Sequence, residues 1–288
     1  MTRTDPDAAF ASRPPIILVG TQRSGTTYLG SLLGNTPGLR YWEEPRHIWI
    51  RGNAYAPDDR LTKAHARPRV RKAIRSAFAE FAGDDRFCEK TPSNCTRLPF
   101  INEVLPEAKI LLIVRDGRAV LRSTGEIMNA GIPSGRILKR ARQTPPWEWP
   151  AFLGQTASAL HRKITHKPLK YWGAKPPGWK QWIGLPRDEM IAHQWAGAIT
   201  CALDDAPEFN GHQLLTFRYE QLMDHPESTA RKIADFLDLE DADRFINEIC
   251  KTADPSRTDK WREQLDQSTL EAVKPIMLPV LERLGYQW

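Results

Sequence analysis

Cysteine is scarce and scattered: Cys88, Cys95, Cys201 and Cys250 are the only four in 288 residues. None stands at metal-ligand spacing, so reduced thiols are expected, and neither a disulfide framework nor a metal site is. Long apolar runs are missing as well. No stretch approaches the roughly 20 residues that a membrane helix needs. The first fifteen residues, MTRTDPDAAFASRPP, carry charges where a leader would have an apolar centre. The expectation is a soluble, cytoplasmic protein with no membrane partner. Acids are nearly absent from one segment: between Ser134 and Arg187, eleven Lys/Arg face a single acid, Glu148, so the segment carries +10 in a chain whose net charge is +6. The basicity is local and no recognition motif accompanies it, which argues against nucleic-acid binding.

The 41% hydrophobic content is enough for one large core over this length. One domain spanning residues 1–288 is expected, with residues 1–14 disordered and residues 131–188 forming a basic, tryptophan-rich insertion. Five of the ten tryptophans lie there, Trp147, Trp149, Trp172, Trp179 and Trp182, together with the turn-rich KPPGW. Tryptophan faces flanked by Arg and Lys suit a sugar carrying acidic groups, or an acidic peptide. They suit equally a satellite core with a solvated charged face. The basic stretch Pro57 to Arg75 has charges at helical intervals and reads as a solvated helix face.

Short apolar runs at Ile16 to Gly20, Ile110 to Val114 and Leu214 to Phe217 read as buried strands, and Arg86 to Glu89 as a further short strand. Helical patterns over 26–34, 67–81, 100–105, 118–128, 190–203, 228–237, 242–250 and 268–284 separate them. Such alternation predicts an α/β fold, a P-loop-type doubly wound sheet with central parallel strands flanked by helices.

Two motifs follow strands. The first, LVGTQRSGTTYL, runs from an apolar strand into a Gly/Ser/Thr turn and a helix. Free N–H groups and the positive end of the helix dipole converge there on an anion site, which Ser24, Gly25, Thr26 and Thr27 are suited to line. Against the triphosphate-binding pattern GxxxxGK[ST], Gly20 and Gly25 fit, but Thr26 stands where lysine belongs. The second motif, VRDGRAVLRS, puts Arg115 at the end of a strand and Ser123 eight residues on along a helix. A guanidinium fork with a hydroxyl suits a phosphate, and a salt-bridged helix start around Asp116 is the plain structural reading.

Together the two motifs resemble the signatures of the sulfotransferases that use 3'-phosphoadenosine 5'-phosphosulfate (PAPS). The resemblance implies that QRSGTT, Gln22 to Thr27, binds the 5'-phosphosulfate and that Arg115 and Ser123 bind the 3'-phosphate. It also implies that Tyr219 touches adenine and that PSRTDKWREQL closes over the 3'-phosphate through Arg257 and Lys260. Within that family the pattern is similar to the tyrosylprotein sulfotransferases and their bacterial relatives, through RSGTT, Pro37-Gly38-Leu39-Arg40, Glu43-Glu44, Lys90-Thr91-Pro92 and VRDGRA. On that likeness Glu44 is the counterpart of the catalytic base and Arg46 is a substrate-site arginine. Those enzymes are membrane-anchored and carry disulfides; here Trp42 and Glu89 occupy or border the cysteine positions.

Sulfuryl transfer needs the charge on the leaving nucleotide stabilised and a proton taken from the acceptor hydroxyl. Arg23 and Lys90 are the candidate cations, so no metal is expected. Cytosolic sulfotransferases follow the Lys-Thr pair with a catalytic histidine. Pro92 stands there in this chain, so the base comes from elsewhere: Glu44 first, His47 second, with Glu43 as a helper. The Glu-Glu pair reads otherwise as a solvated loop or helix start. The function expected is PAPS-dependent transfer to a hydroxyl of a small-molecule or glycan acceptor, carbohydrate ahead of phenol or peptidyl tyrosine. The alternatives are a nucleotide kinase with a degenerate P-loop and a non-catalytic nucleotide- or polyanion-binding module.

Overall fold

In the computed structural model, residues 6–130 and 171–288 are described. Five parallel strands, β1 (Ile16–Val19), β2 (Leu39–Glu43), β3 (Arg86–Lys90), β4 (Lys109–Val114) and β5 (Leu214–Arg218), form one sheet in the order β2-β3-β1-β4-β5. The register sets Leu18 beside Lys90, Glu43 beside Lys90, and Val114 beside Arg218.

Every residue of β1 is fully buried, because helices cover both faces of the sheet. Ile17 and Val19 join the core on one face with Ile110, Leu112 and Val114, while Ile16 and Leu18 join the other with Leu111 and Ile113. Burying each such side chain contributes about 1.5–3 kcal/mol, more than the roughly 1 kcal/mol net of a ladder hydrogen bond, so burial fixes where β1 sits. The helices preceding the break in description are α1 (Pro6–Ser12), α2 (Thr26–Gly34), α3 (Arg46–Trp49), α4 (Pro68–Ala82), α5 (Leu98–Val104) and α6 (Gly117–Ala130). Beyond it, Arg187–Asp205 and Gln267–Arg283 supply buried residues to the first core, and Pro226–Leu237 and Ala242–Thr252 to the second.

After β1 the chain moves to the far edge at β2 and returns through β3; β4 and β5 then build outward on the other side. The direction of winding reverses around β1, and ligands of open α/β sheets bind outside the carboxyl ends of the strands at such a point.

Three readings of the sequence need correction. Residues 6–12, expected to be disordered, form α1: Phe10 is buried, packs at 5.5 Å against Phe87 and lies under the Arg75 guanidinium, which also bonds Asp7. Of the Glu43-Glu44 pair only Glu44 lies in a loop before a helix, the two-residue connection to α3; Glu43 ends β2, a half-buried edge strand whose LRYWE lacks an apolar run. The Pro57 to Arg75 stretch is α-helical only from Pro68 onward, after a single 3-10 turn at Lys63–His65, and Asp59 before both is buried. Of the proposed insertion, residues 131–170, including Trp147 and Trp149, lie outside the described residues. Its last two residues, Arg187 and Asp188, begin the helix Arg187–Asp205.

Candidate active site

The β1–α2 turn supplies the first wall. Gly25 caps α2 with φ 94° and no side-chain cap bond, so the opening N–H groups of the helix remain available to a ligand. A side chain at Gly25 would collide with the Tyr219 ring, whose Cδ2 would lie 2.4 Å from the added carbon. Ser24 donates its hydroxyl to the Thr21 carbonyl at 2.8 Å, which tightens the turn. Arg23 also has a left-handed backbone, φ 69°, and its Nε donates to Ser123 Oγ at 2.8 Å. The arginine of the loop therefore meets the serine of the second motif, 100 residues on.

Arg115 ties these parts together. Its two terminal nitrogens donate to the carbonyls of Arg23, at 2.8 Å, and Arg257, at 2.7 Å, and its guanidinium lies 4.4 Å from the Tyr219 ring centroid. Burial pushes the Arg115 pKa down, and its buried Nε has no partner among the described residues. That orphaned donor, at the helix opening of α6, suits an anion. The Arg257 side chain instead pairs with Asp254 at 3.0 Å, and Lys260 is exposed at the start of the next short helix.

The second wall comes from the ends of β2 and β3. Glu44 leaves β2 with φ 57°, yet its N–H still donates to the Lys90 carbonyl at 2.8 Å. This left-handed turn, costly for a non-glycine residue, brings the Glu44 carboxylate within 2.9 Å of Lys90 Nζ, with Glu43 at 4.0 Å. The Lys90 side chain is only 3% exposed, so its charge needs these partners. Beneath it, Glu89 is fully buried, accepting from Thr91 Oγ1 at 2.9 Å and Asn94 Nδ2 at 2.6 Å, and burial raises its pKa to about 7. These bonds hold the Thr91–Pro92–Ser93 turn.

A cleft of about 720 Å³, open mouth included, lies between the walls, and Arg23, Thr26, Thr27, Glu44, Arg46 and Lys90 all line it. Three cations against one carboxylate favour an anionic ligand. Gln22, part of the anion-loop motif, lines the cleft. Sequence reasoning missed three features. Ser93 also lines it. The buried Asp59 pairs with Arg46 at 2.9 Å, and Gln194 reaches the site from the helix Arg187–Asp205. Of the tryptophan-rich segment, Trp172 with Gly173 and Ala174 lines the cleft, whereas Trp182 stacks on His193 at 5.4 Å, away from it. His47 does not line the cleft: its ring meets Trp42 at 5.8 Å, and burial with nearby Arg51 lowers its pKa to about 4. No described helix is long and apolar enough to cross a membrane.

The family model for the sulfotransferase family matches residues 14–149 and 155–243. Protein-tyrosine sulfotransferase A of Caenorhabditis elegans is 23% identical to this chain, the match covering 99% of the chain and 71% of the relative. Protein-tyrosine sulfotransferase of Drosophila melanogaster is also 23% identical, over 95% of the chain, which spans only 52% of that relative's length. Among solved structures, the sulfotransferase domain from the curacin biosynthetic pathway superposes with a TM-score of 0.56 at 14% identity, covering 96% of this chain and 99% of that one, a likeness of fold.

Proposed function

The chain belongs to the sulfotransferase family, and from that premise we propose that it moves a sulfuryl group from PAPS to a hydroxyl of a small-molecule or glycan acceptor. The observation that carries this reading is the pairing of Glu44 with Lys90 at 2.9 Å on the cleft wall facing the anion loop: a base and a cation within reach of one point. Bound PAPS would supply an activated sulfuryl group on a 5'-phosphate.

The opening N–H groups of α2 and the hydroxyls of Thr26 and Thr27 hold the phosphosulfate end. Ser123, Arg115 and the neighbouring Arg23 hold the 3'-phosphate, a role supported by the orphaned Arg115 Nε, while Arg257, its side chain paired with Asp254, adds only a weak contact. Tyr219, packed on Gly25 and Arg115, borders the nucleotide's path. Glu44 takes the proton from the acceptor hydroxyl as its oxygen bonds sulfur and the bond from sulfur to the 5'-phosphate oxygen breaks. Lys90, released from Glu44 as that carboxylate is protonated, turns to the negative charge gathering on the leaving phosphate. Arg23 reaches the same region from the loop. Its contact with Ser123 also gives it a part in holding the 3'-phosphate.

Trp172 and Arg46 line the acceptor side, and an aromatic face beside a cation suits a carbohydrate bearing an acidic group. Peptidyl tyrosine is the competing acceptor, raised by the names of the relatives above. We assign the enzyme to the cytoplasm, supported by its four free cysteines, two of them buried. Calorimetric titration tests the donor: tight binding of adenosine 3',5'-bisphosphate without Mg²⁺ and weak ATP binding are expected, and the reverse order points to a kinase. A screen of sugars, phenols and tyrosyl peptides with labelled PAPS then identifies the acceptor.

A further inference from the structure

The segment 171–175 is held over the cleft by two latches from distant parts of the chain. Gln194, 2% exposed, donates from Nε2 to the carbonyls of Trp172 and Ala174, both at 2.8 Å, and its Oε1 accepts from Gln22 Nε2. Its amide is thereby used on both ends, which fixes its orientation. Asp59 forms the second latch: Oδ2 accepts from the Lys175 N–H, and the Asp59 N–H donates to the Lys175 carbonyl, each at 2.8 Å. The other carboxylate oxygen of Asp59 bonds Arg46 on the cleft wall at 2.9 Å.

Contact between the segment and the anion loop is close. Gly173 has φ 105°, and a Cβ there would lie 3.0 Å from the Cδ and Nε2 of Gln22. Gln22, two residues before the loop's Ser24, is itself only 4% exposed beneath it.

We infer that Gln194 is a positioning residue that latches residues 171–175 onto Gln22 as a roof, and that this roof keeps water from the sulfuryl group when no acceptor is present. The inference rests on the donor reading above. Excluding water matters because an activated sulfuryl group loses its value to hydrolysis: a water oxygen bonds sulfur, the bond from sulfur to the 5'-phosphate oxygen breaks with its electron pair on the phosphate, and water's protons pass to solvent. The products are sulfate and adenosine 3',5'-bisphosphate. Gln194 touches none of these atoms, so it acts only through the roof.

The test uses the full chain, the Gln194→Met variant, which keeps the length of the side chain and removes both latching groups, and Gly173→Ala, which lifts the roof from its other side. Three quantities are read: bisphosphate affinity by calorimetry, sulfate release from PAPS without acceptor, and amide exchange of residues 171–175 by mass spectrometry. Both variants should exchange faster in that segment and release sulfate about fivefold faster or more, with bisphosphate affinity changed less than about threefold. A general loss of structure would weaken nucleotide binding and slow hydrolysis, the opposite split. Faster exchange with unchanged sulfate release overturns the shielding role, and unchanged exchange overturns the latch. If Gln194→Met does not fold, Gly173→Ala decides alone. Failure of the unsubstituted chain to bind the bisphosphate sinks the donor reading and with it the shielding role, while exchange still decides the latch.

Discussion

The anion loop and the Glu43–Arg46 edge face each other across one cleft, but they are built differently. The loop is local: a buried strand, a glycine turn and a helix opening put its binding groups within eight consecutive residues. The opposite wall is assembled from remote pieces, with Glu44 from the end of β2, Lys90 from β3, Asp59 from an irregular stretch and Trp172 from beyond α6. Anion binding follows from backbone geometry that a few residues can make. Acceptor positioning follows from side-chain pairings across 46 residues in the Lys90–Glu44 bond and 116 in the Asp59–Lys175 bond. Substitutions should therefore separate binding from turnover according to the wall they strike.

The largest effect is expected at Glu44. Glu44→Gln keeps the shape and removes the base, so turnover should fall by about 10²–10⁴. Bisphosphate affinity should stay within about twofold, because the opposite wall holds the nucleotide. The change also leaves Lys90 with Glu43 at 4.0 Å as its nearest carboxylate, and a lower Tm should accompany the loss of turnover. Turnover within tenfold of the unsubstituted chain would remove Glu44 from the chemistry.

On the loop side, Arg115→Ala should weaken bisphosphate binding by about 1.5–3 kcal/mol, ten- to a hundredfold, measured by calorimetry. The Arg257 side chain, already paired with Asp254 and exposed, should matter much less: Arg257→Ala should cost only a few-fold. Equal losses in the two variants would mean that Arg115 serves mainly to tie the loop carbonyl to the Arg257 carbonyl.

Legibility followed the same division. The strands β1 and β4 and the helix Thr26–Gly34 could be read because burial on both faces leaves continuous apolar runs and because Gly25 marks the turn; β5, though an edge strand with Thr216 exposed, still keeps Leu214, Leu215 and Phe217 close together. The strand β2 could not, since Arg40 is exposed and its neighbours are half-buried at the sheet edge, which breaks the pattern. Glu44 was found by family likeness, and its reach to Lys90 depends on a left-handed backbone that no local pattern announces for glutamate. Asp59 carries no sequence signal at all: its burial is set by Arg46, the Lys175 backbone and Arg97 at 3.7 Å, all distant in sequence except Arg46. Helix α1 was missed because a charged, proline-flanked start concealed a single anchoring residue, Phe10.

Two titrating groups behind the assembled wall, neither lining the cleft, sharpen the contrast, with smaller effects on activity. His47, off the cleft, should tolerate replacement by Gln with turnover changed less than about threefold. Its effect on stability has a definite sign. The folded imidazole is pushed down to about 4, whereas the unfolded one takes a proton near 6.5, so stability present above pH 6.5 is lost as the pH falls toward 4. Glu89 acts in the opposite sense. Its folded carboxyl keeps its proton to about pH 7 while the unfolded one loses it near 4.5, so stability present below 4.5 is lost as the pH rises through 7. Over the shared window the two slopes oppose each other and largely cancel in the unsubstituted chain. Glu89→Gln should expose the histidine, making the chain less stable as it is acidified from pH 6.5 to 4. His47→Gln should expose the glutamate, making the chain more stable from pH 7 to 4.5. Each change should be on the order of 1 kcal/mol by urea denaturation. Parallel pH profiles for the two variants would mean that neither group is held in the state its burial implies.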